Sequence, residues 1–262
     1  MNIKDFMKKD GEQPLDNIVS DGGFAKIFRK VGCIGDSLSS GEFETFEGGE
    51  RGYHDMYEYS WGQFMAREAG FEAINFSQGG LTAREFLNIA DAKWRFTASE
   101  NLCQAYIIAL GVNDLKASPD FDDCLGSIED VHPGLRSKNA DNFAGNYAKI
   151  IQIIIAKQPK AKVFLMTMPK TDDETHNQIA KRHAELLYEL AETFKNVYII
   201  DLYKYAPIYD EEFKRNFFLL GHLNPQGYAL TAKMTLSYID YIIRNNPEEF
   251  ATIPFIDKPF YN

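Results

Sequence analysis

Four short stretches of the chain carry side chains whose chemistry belongs together. Gly35-Asp36-Ser37-Leu38 follows the apolar run Val31–Ile34, and Gln78-Gly79-Gly80 follows a second apolar run. Gly111-Val112-Asn113-Asp114 follows a third, and Gly221-His222 stands just ahead of Asn224-Pro225. A hydroxyl is a poor nucleophile until a base takes its proton, and neutral imidazole does this near pH 7. Ser37 and His222 are such a pair of groups. The oxyanion created by an attacking hydroxyl needs fixed donors. The backbone N–H of Gly80, the side-chain amide of Asn113 and the N–H of Ser37 are donors of the right type. Taken singly, each has a plainer reading. Ser37 after Gly-Asp suits a helix N-cap, Asn113 a turn, Gly80 a positive φ, and His222 a cap or packing position. Their joint placement favours the chemistry, with Asp36 and Asp114 as structural residues bonded to local backbone.

The elements that must position these residues are legible from periodicity. Lys30–Ile34, Phe71–Phe76, Ala105–Leu110, Lys162–Met168 and Val197–Leu202 read as strands. Helical spacing runs through Asp55–Ala69, from Thr82 onward, through Asn142–Lys157 and Asp173–Phe194, and from Asn224-Pro225 to about Arg244. Strands alternating with helices predict a parallel sheet covered on both faces. In such sheets ligands bind outside the carboxyl ends of the strands, where all four stretches fall. The remainder is read as an N-terminal arm (1–28), a Gly- and Glu-rich loop (Ser37–Tyr53), an irregular insertion (Leu115–Asp141) and a C-terminal tail (246–262), within a single domain over 1–262. Both loops are expected to line the entrance to the site. Phe43, Phe46, Tyr53 and Phe121 are candidates to stack on a ring-shaped ligand.

In this order, the four stretches resemble the four blocks of the SGNH, or GDSL-type, hydrolases. Gly35-Asp36-Ser37-Leu38 matches the block with the nucleophile, and Asn75 followed by Gly80 matches the second block. Gly111-Val112-Asn113-Asp114 matches the third, and Gly221-His222-Leu223-Asn224-Pro225 matches the block with the base. The resemblance spans roughly Val31 to Arg244. It implies an α/β fold of the three-layer α/β/α, flavodoxin-like kind around a five-stranded parallel sheet. It also implies an ester hydrolase working through an acyl-enzyme, with Ser37 as nucleophile, His222 as base, and Ser37 N–H, Gly80 and Asn113 as oxyanion donors, without a cofactor or a metal. One position departs from the pattern: the family's Asp three residues before the His is Leu219 here. Three readings stay open. A backbone carbonyl near Leu219 or Leu220 accepts from the imidazole, or an acid elsewhere does so (Asp201, Asp210 or Glu211), or the site is degenerate.

Composition narrows the partners. The 262 residues carry 28 Lys and Arg against 38 Asp and Glu, a formal charge of −10, which disfavours nucleic acid and anionic membranes. The expected partner is a small-molecule ester. Three cysteines (Cys33, Cys103, Cys124) show no metal-like spacing, and no disulfide framework is expected. His54, His132, His176 and His183 lack metal-like partners. No signal-like or membrane-length apolar run is present, so a cytoplasmic location is expected. The acidic, aromatic loops favour short acyl esters, acetylated carbohydrate among them. The alternatives are a thioesterase or lysophospholipase on the same site, or a non-catalytic ligand-binding relative.

Overall fold

The computed structural model describes residues 3–115 and 121–255. Five parallel strands form its central sheet: β1 (Lys30–Gly35), β4 (Glu72–Ser77), β5 (Ala105–Ala109), β6 (Lys162–Met166) and β7 (Val197–Ile200). Between the first two lies a separate antiparallel hairpin, β2 (Glu42–Glu47) and β3 (Glu50–Asp55). The sheet order is β4-β1-β5-β6-β7. Counting only the five sheet strands, this is the 2-1-3-4-5 order of flavodoxin-like sheets, with its switch point beside β1.

Alternation along each strand divides the core into two layers. Val31 and Cys33 on β1, Ala105 and Ile107 on β5, and Phe164 and Met166 on β6 face one side. There they meet Trp61 and Met65 of the Trp61–Ala69 helix, and Tyr228, Ala232 and Leu236 of the Pro225–Asn245 helix. Ile34, Tyr106, Ile108, Val163 and Leu165 face the other. Helices Ala83–Trp94, Phe143–Lys157 and Glu174–Thr193 cover that side. Each large apolar side chain so buried contributes about 1.5–3 kcal/mol. Thr82, Asn142, Asp173 and Asn224 cap the helices that follow them, and Pro225 takes the first turn of the last one.

Two expectations change. The loop expected over Ser37–Tyr53 is ordered as a single helical turn, Ser37–Ser40, followed by the β2–β3 hairpin. Gly48 and Gly49, at φ 62° and 90°, make the two-residue turn that joins its arms. The insertion expected over Leu115–Asp141 contains the short helix Phe121–Leu125 and turns at Ile128–Asp130 and Arg136–Lys138. Its residues 116–120, and residues 256–262 of the C-terminal tail, lie outside the described residues. No helix among the described residues is long and apolar enough to cross a membrane.

Gly35 is where the sheet hands the chain to Ser37. A Cβ there would lie 2.1 Å from Ser39 Oγ and 3.1 Å from the carbonyl oxygen of Ala109 on β5. Gly35→Ala should therefore push the Ser37 turn off the sheet and destabilise the fold by about 1–3 kcal/mol. Chemical denaturation measures this; a midpoint unchanged from wild type would contradict the packing described.

Candidate active site

The turn after β1 is built by Asp36. Its Oδ1 accepts the N–H of Leu38 at 3.1 Å, and its carbonyl accepts the N–H groups of Ser39 and Ser40. Asp36 is thus the N-cap, and Ser37 is the first helical residue rather than the cap. The cap is buried, and desolvation raises its carboxyl to about 7. Asn113 is the second residue of the turn Val112–Leu115 after β5, and its Nδ2 donates to Asp36 Oδ2 and to the carbonyl of Leu81, each at 3.4 Å. Asp114 accepts the N–H of Ala83 at 2.9 Å, which fastens this turn to the Ala83–Trp94 helix, and burial raises its carboxyl to about 6. Gly80 follows β4 at φ 74°, a conformation that favours glycine. Ser37, Gly80, Asn113 and His222 all line one cleft of about 600 Å³.

His222 sits on a two-residue ladder, Phe218–Leu219 against His222–Leu223, closed by Leu220 at φ 59° and by Gly221. Leu219 pairs with His222 through the backbone, and its own side chain is exposed. The imidazole is held from the hairpin instead. Nδ1 lies 2.6 Å from Glu44 Oε1, which also accepts the N–H of Gly221 at 3.1 Å. Arg51 on β3 donates to Glu44 Oε2 at 3.1 Å. Glu44 is 4% exposed, so this carboxylate is both buried and fully partnered. A Cβ on Gly221 would lie 2.3 Å from Glu44 Oε1, so the residue before the histidine must be small. Nε2, the nitrogen that a serine hydroxyl would address, lies 3.0 Å from Glu42 Oε1.

None of the three expected acids reaches the imidazole. Asp201 is bonded to Thr167, Lys204 N–H and Tyr188, Asp210 caps Phe213, and Glu211 pairs with Lys214. A backbone carbonyl near Leu219 is not needed either, because Nδ1 is taken by Glu44. Glu44 was hidden because the contact joins residues 178 positions apart. The sequence signal that could have revealed it is the Gly48-Gly49 turn between two six-residue arms, which places Glu42 and Glu44 on one strand face.

The surroundings of the cleft differ in part from expectation. The hairpin borders it through Glu42, Glu44, Arg51 and Tyr53, but among the described residues none of 121–141 lines it. Phe121 lies under Arg182 instead. Of the four aromatics considered, Tyr53 faces the site, its ring 6.3 Å from that of His222. Phe43 packs on Tyr59 and Tyr228, and Phe46 is exposed on the hairpin. Behind Leu38 and Val112 lies a smaller apolar cavity of about 60 Å³. His183 is a core residue bonded to the Leu110 carbonyl, and burial lowers it to about 4. Among the described residues no group of three or more His, Cys, Asp or Glu side chains is arranged to hold a metal ion.

The model of the GDSL-like lipase/acylhydrolase family matches residues 33–230, and the chain belongs to that family. No curated protein matches it. Among solved structures it is similar to a family two carbohydrate esterase from Clostridium thermocellum in complex with cellohexaose, at 16% identity and a TM-score of 0.59, covering 84% of this chain and 65% of that one. A Clostridium thermocellum family 3 carbohydrate esterase matches at 16% identity and 0.53, covering 82% of this chain and 97% of that one. The lipase/acylhydrolase from Enterococcus faecalis matches at 16% and 0.50, covering 82% and 96%. At these identities the likeness establishes the fold. The chain spans about 65% of the family two esterase.

Asp36 gives the site a pH signature. Its folded pKa, about 7, lies above its ordinary 3.8, so between these values the folded chain holds a proton that the unfolded chain releases. The stability this proton confers is present at low pH and is lost as pH rises toward 7. Asp36→Asn keeps the capping oxygen and removes the titration. The difference in Tm, variant minus wild type, should therefore be larger at pH 8 than at pH 5. Equal differences at the two pH values would contradict a buried, proton-retaining Asp36.

Proposed function

We propose that this chain hydrolyses short-acyl esters by acyl transfer, with Ser37 as nucleophile and His222 as general base. Ser37 Oγ attacks the ester carbonyl carbon while His222 Nε2 takes its proton. The tetrahedral oxyanion is held by the N–H groups of Ser37 and Gly80 and by the Asn113 amide. Its collapse breaks the bond to the alcohol, which leaves with the proton returned by His222. Water, activated by the same imidazole, then releases the acid. Glu44 keeps the proton on Nδ1, leaves Nε2 as the basic nitrogen, and stabilises the imidazolium that forms. The observation that carries this reading is the convergence of Ser37, Gly80, Asn113 and His222 on one cleft, with a buried carboxylate on Nδ1. Leu219 alone favours a non-catalytic relative; the carboxylate of Glu44 removes that ground.

The acyl group and the alcohol are read from the walls. The apolar cavity behind Leu38 and Val112 has room for only a few carbons, which supports a short acyl chain. Glu42, Glu44 and Arg51 line the cleft, so acids outnumber cations there, which disfavours phospholipid or other anionic substrates. Tyr53 offers an exposed ring beside His222, suited to a sugar face. The similar carbohydrate esterases agree with this lean toward acetylated carbohydrate.

Hydrolysis of p-nitrophenyl acetate, butyrate and octanoate by wild type and Ser37→Ala tests the reading. Wild-type kcat/KM should fall from acetate to octanoate. Ser37→Ala should lose at least about 10⁴-fold in kcat while keeping the wild-type Tm. Activity retained in Ser37→Ala would refute the nucleophile, and a clear rise with chain length would refute the short-acyl preference.

A further inference from the structure

Glu42 is the residue of the cleft that acyl transfer by Ser37 and His222 leaves without a task. Glu42 is 8% exposed, and its carboxylate faces His222 Nε2 at 3.0 Å, the atom that must turn to Ser37 for reaction. A carboxylate only accepts hydrogen bonds, and a neutral imidazole has one N–H. With Glu44 at 2.6 Å from Nδ1 and Glu42 at 3.0 Å from Nε2, a single imidazole N–H cannot serve both carboxylates. Once Nε2 is a base and Glu42 is ionised, the imidazole lone pair faces a carboxylate oxygen and the contact is lost. Glu42 then needs another donor, because a buried carboxylate without a partner is costly.

The protein around it supplies little. Asp55, Glu44 and Asp36 are the neighbouring acids, and each opposes its ionisation or has its own raised by it. His54 favours its charge but is bonded to Thr45, and Arg51 is taken by Glu44. The Gly79 N–H donates to Asp55. The second oxygen, Oε2, lies against the Gly79 backbone, where a Cβ would come within 2.0 Å. Glu42 therefore sits between the base and the loop carrying Gly80, open toward the cleft that both line.

We infer that Glu42 is a specificity-determining residue that accepts a hydrogen bond from a hydroxyl beside the ester in the alcohol part of the substrate. This rests on the acyl-transfer reading above. The substrate hydroxyl takes the place that His222 Nε2 vacates, so the base is released to Ser37 when a polyol or sugar ester occupies the cleft. An ester lacking that donor leaves Glu42 either on the histidine or unpartnered, and reacts more slowly.

The test compares 2-hydroxyethyl acetate with 2-methoxyethyl acetate, in which an O-methyl group replaces the hydroxyl donor, and the Glu42 variants control for the added methyl. Wild type should favour the hydroxyl ester by tenfold or more in kcat/KM. Glu42→Ala and Glu42→Met should bring the ratio close to one. A wild-type ratio near one overturns the inference whatever the variants do, and so does a tenfold ratio that persists in a folded Glu42 variant. Running Ser37→Ala on the same esters separates the two readings. If it abolishes hydrolysis while the ratio is one, acyl transfer stands and the role of Glu42 falls; if it does not, the acyl-transfer reading itself has failed.

Discussion

The contact between Glu44 and His222 is the constraint on which the site's chemistry depends. An imidazole on a two-residue ladder at the protein surface has no reason to hold one tautomer or one orientation. Here a buried carboxylate fixes Nδ1 at 2.6 Å, binds the N–H of Gly221 with the same oxygen, and is anchored by Arg51 through the other. The hairpin that carries Glu44 begins two residues after the Ser37–Ser40 turn. The turn that carries Ser37 and the acid that holds His222 are therefore joined by one short stretch of backbone.

The sheet supports this unit at its switch point. Gly35 lets the Ser37 turn approach β5, Asp36 caps that turn, and Asn113 and Gly80 arrive from the strands on either side of β1. Strand order and site are thus the same fact seen at two scales: the ends of β4, β1 and β5 converge where the order reverses. The cost appears in Asp36 and Asp114, whose carboxyls desolvation pushes up to about 7 and about 6.

Much of this was legible in the residues. The five sheet strands, their helices and the caps at Thr82, Asn142, Asp173 and Asn224 follow from period and capping chemistry, because each depends on neighbours in sequence. The four stretches with Ser37, Gly80, Asn113 and His222 follow from their position at strand ends. The hairpin did not. Its alternation puts acids rather than apolar residues on the buried face, so Glu42 and Glu44 imitate a solvated loop. With Leu219 in place of the family's acid, the sequence offers a backbone carbonyl near Leu219 or Leu220, or Asp201, Asp210 or Glu211, because nothing local ties Glu44 to a histidine 178 positions away. Tertiary contact, not local pattern, replaces the acid absent at Leu219.

The most direct test of this account is the turnover of Glu44→Gln, a change that keeps shape and removes charge. If Glu44 holds the tautomer and stabilises the imidazolium, kcat on p-nitrophenyl acetate should fall by about 10²- to 10⁴-fold with little change in KM. A kcat within a few-fold of wild type, in a variant that keeps the wild-type Tm, would contradict it.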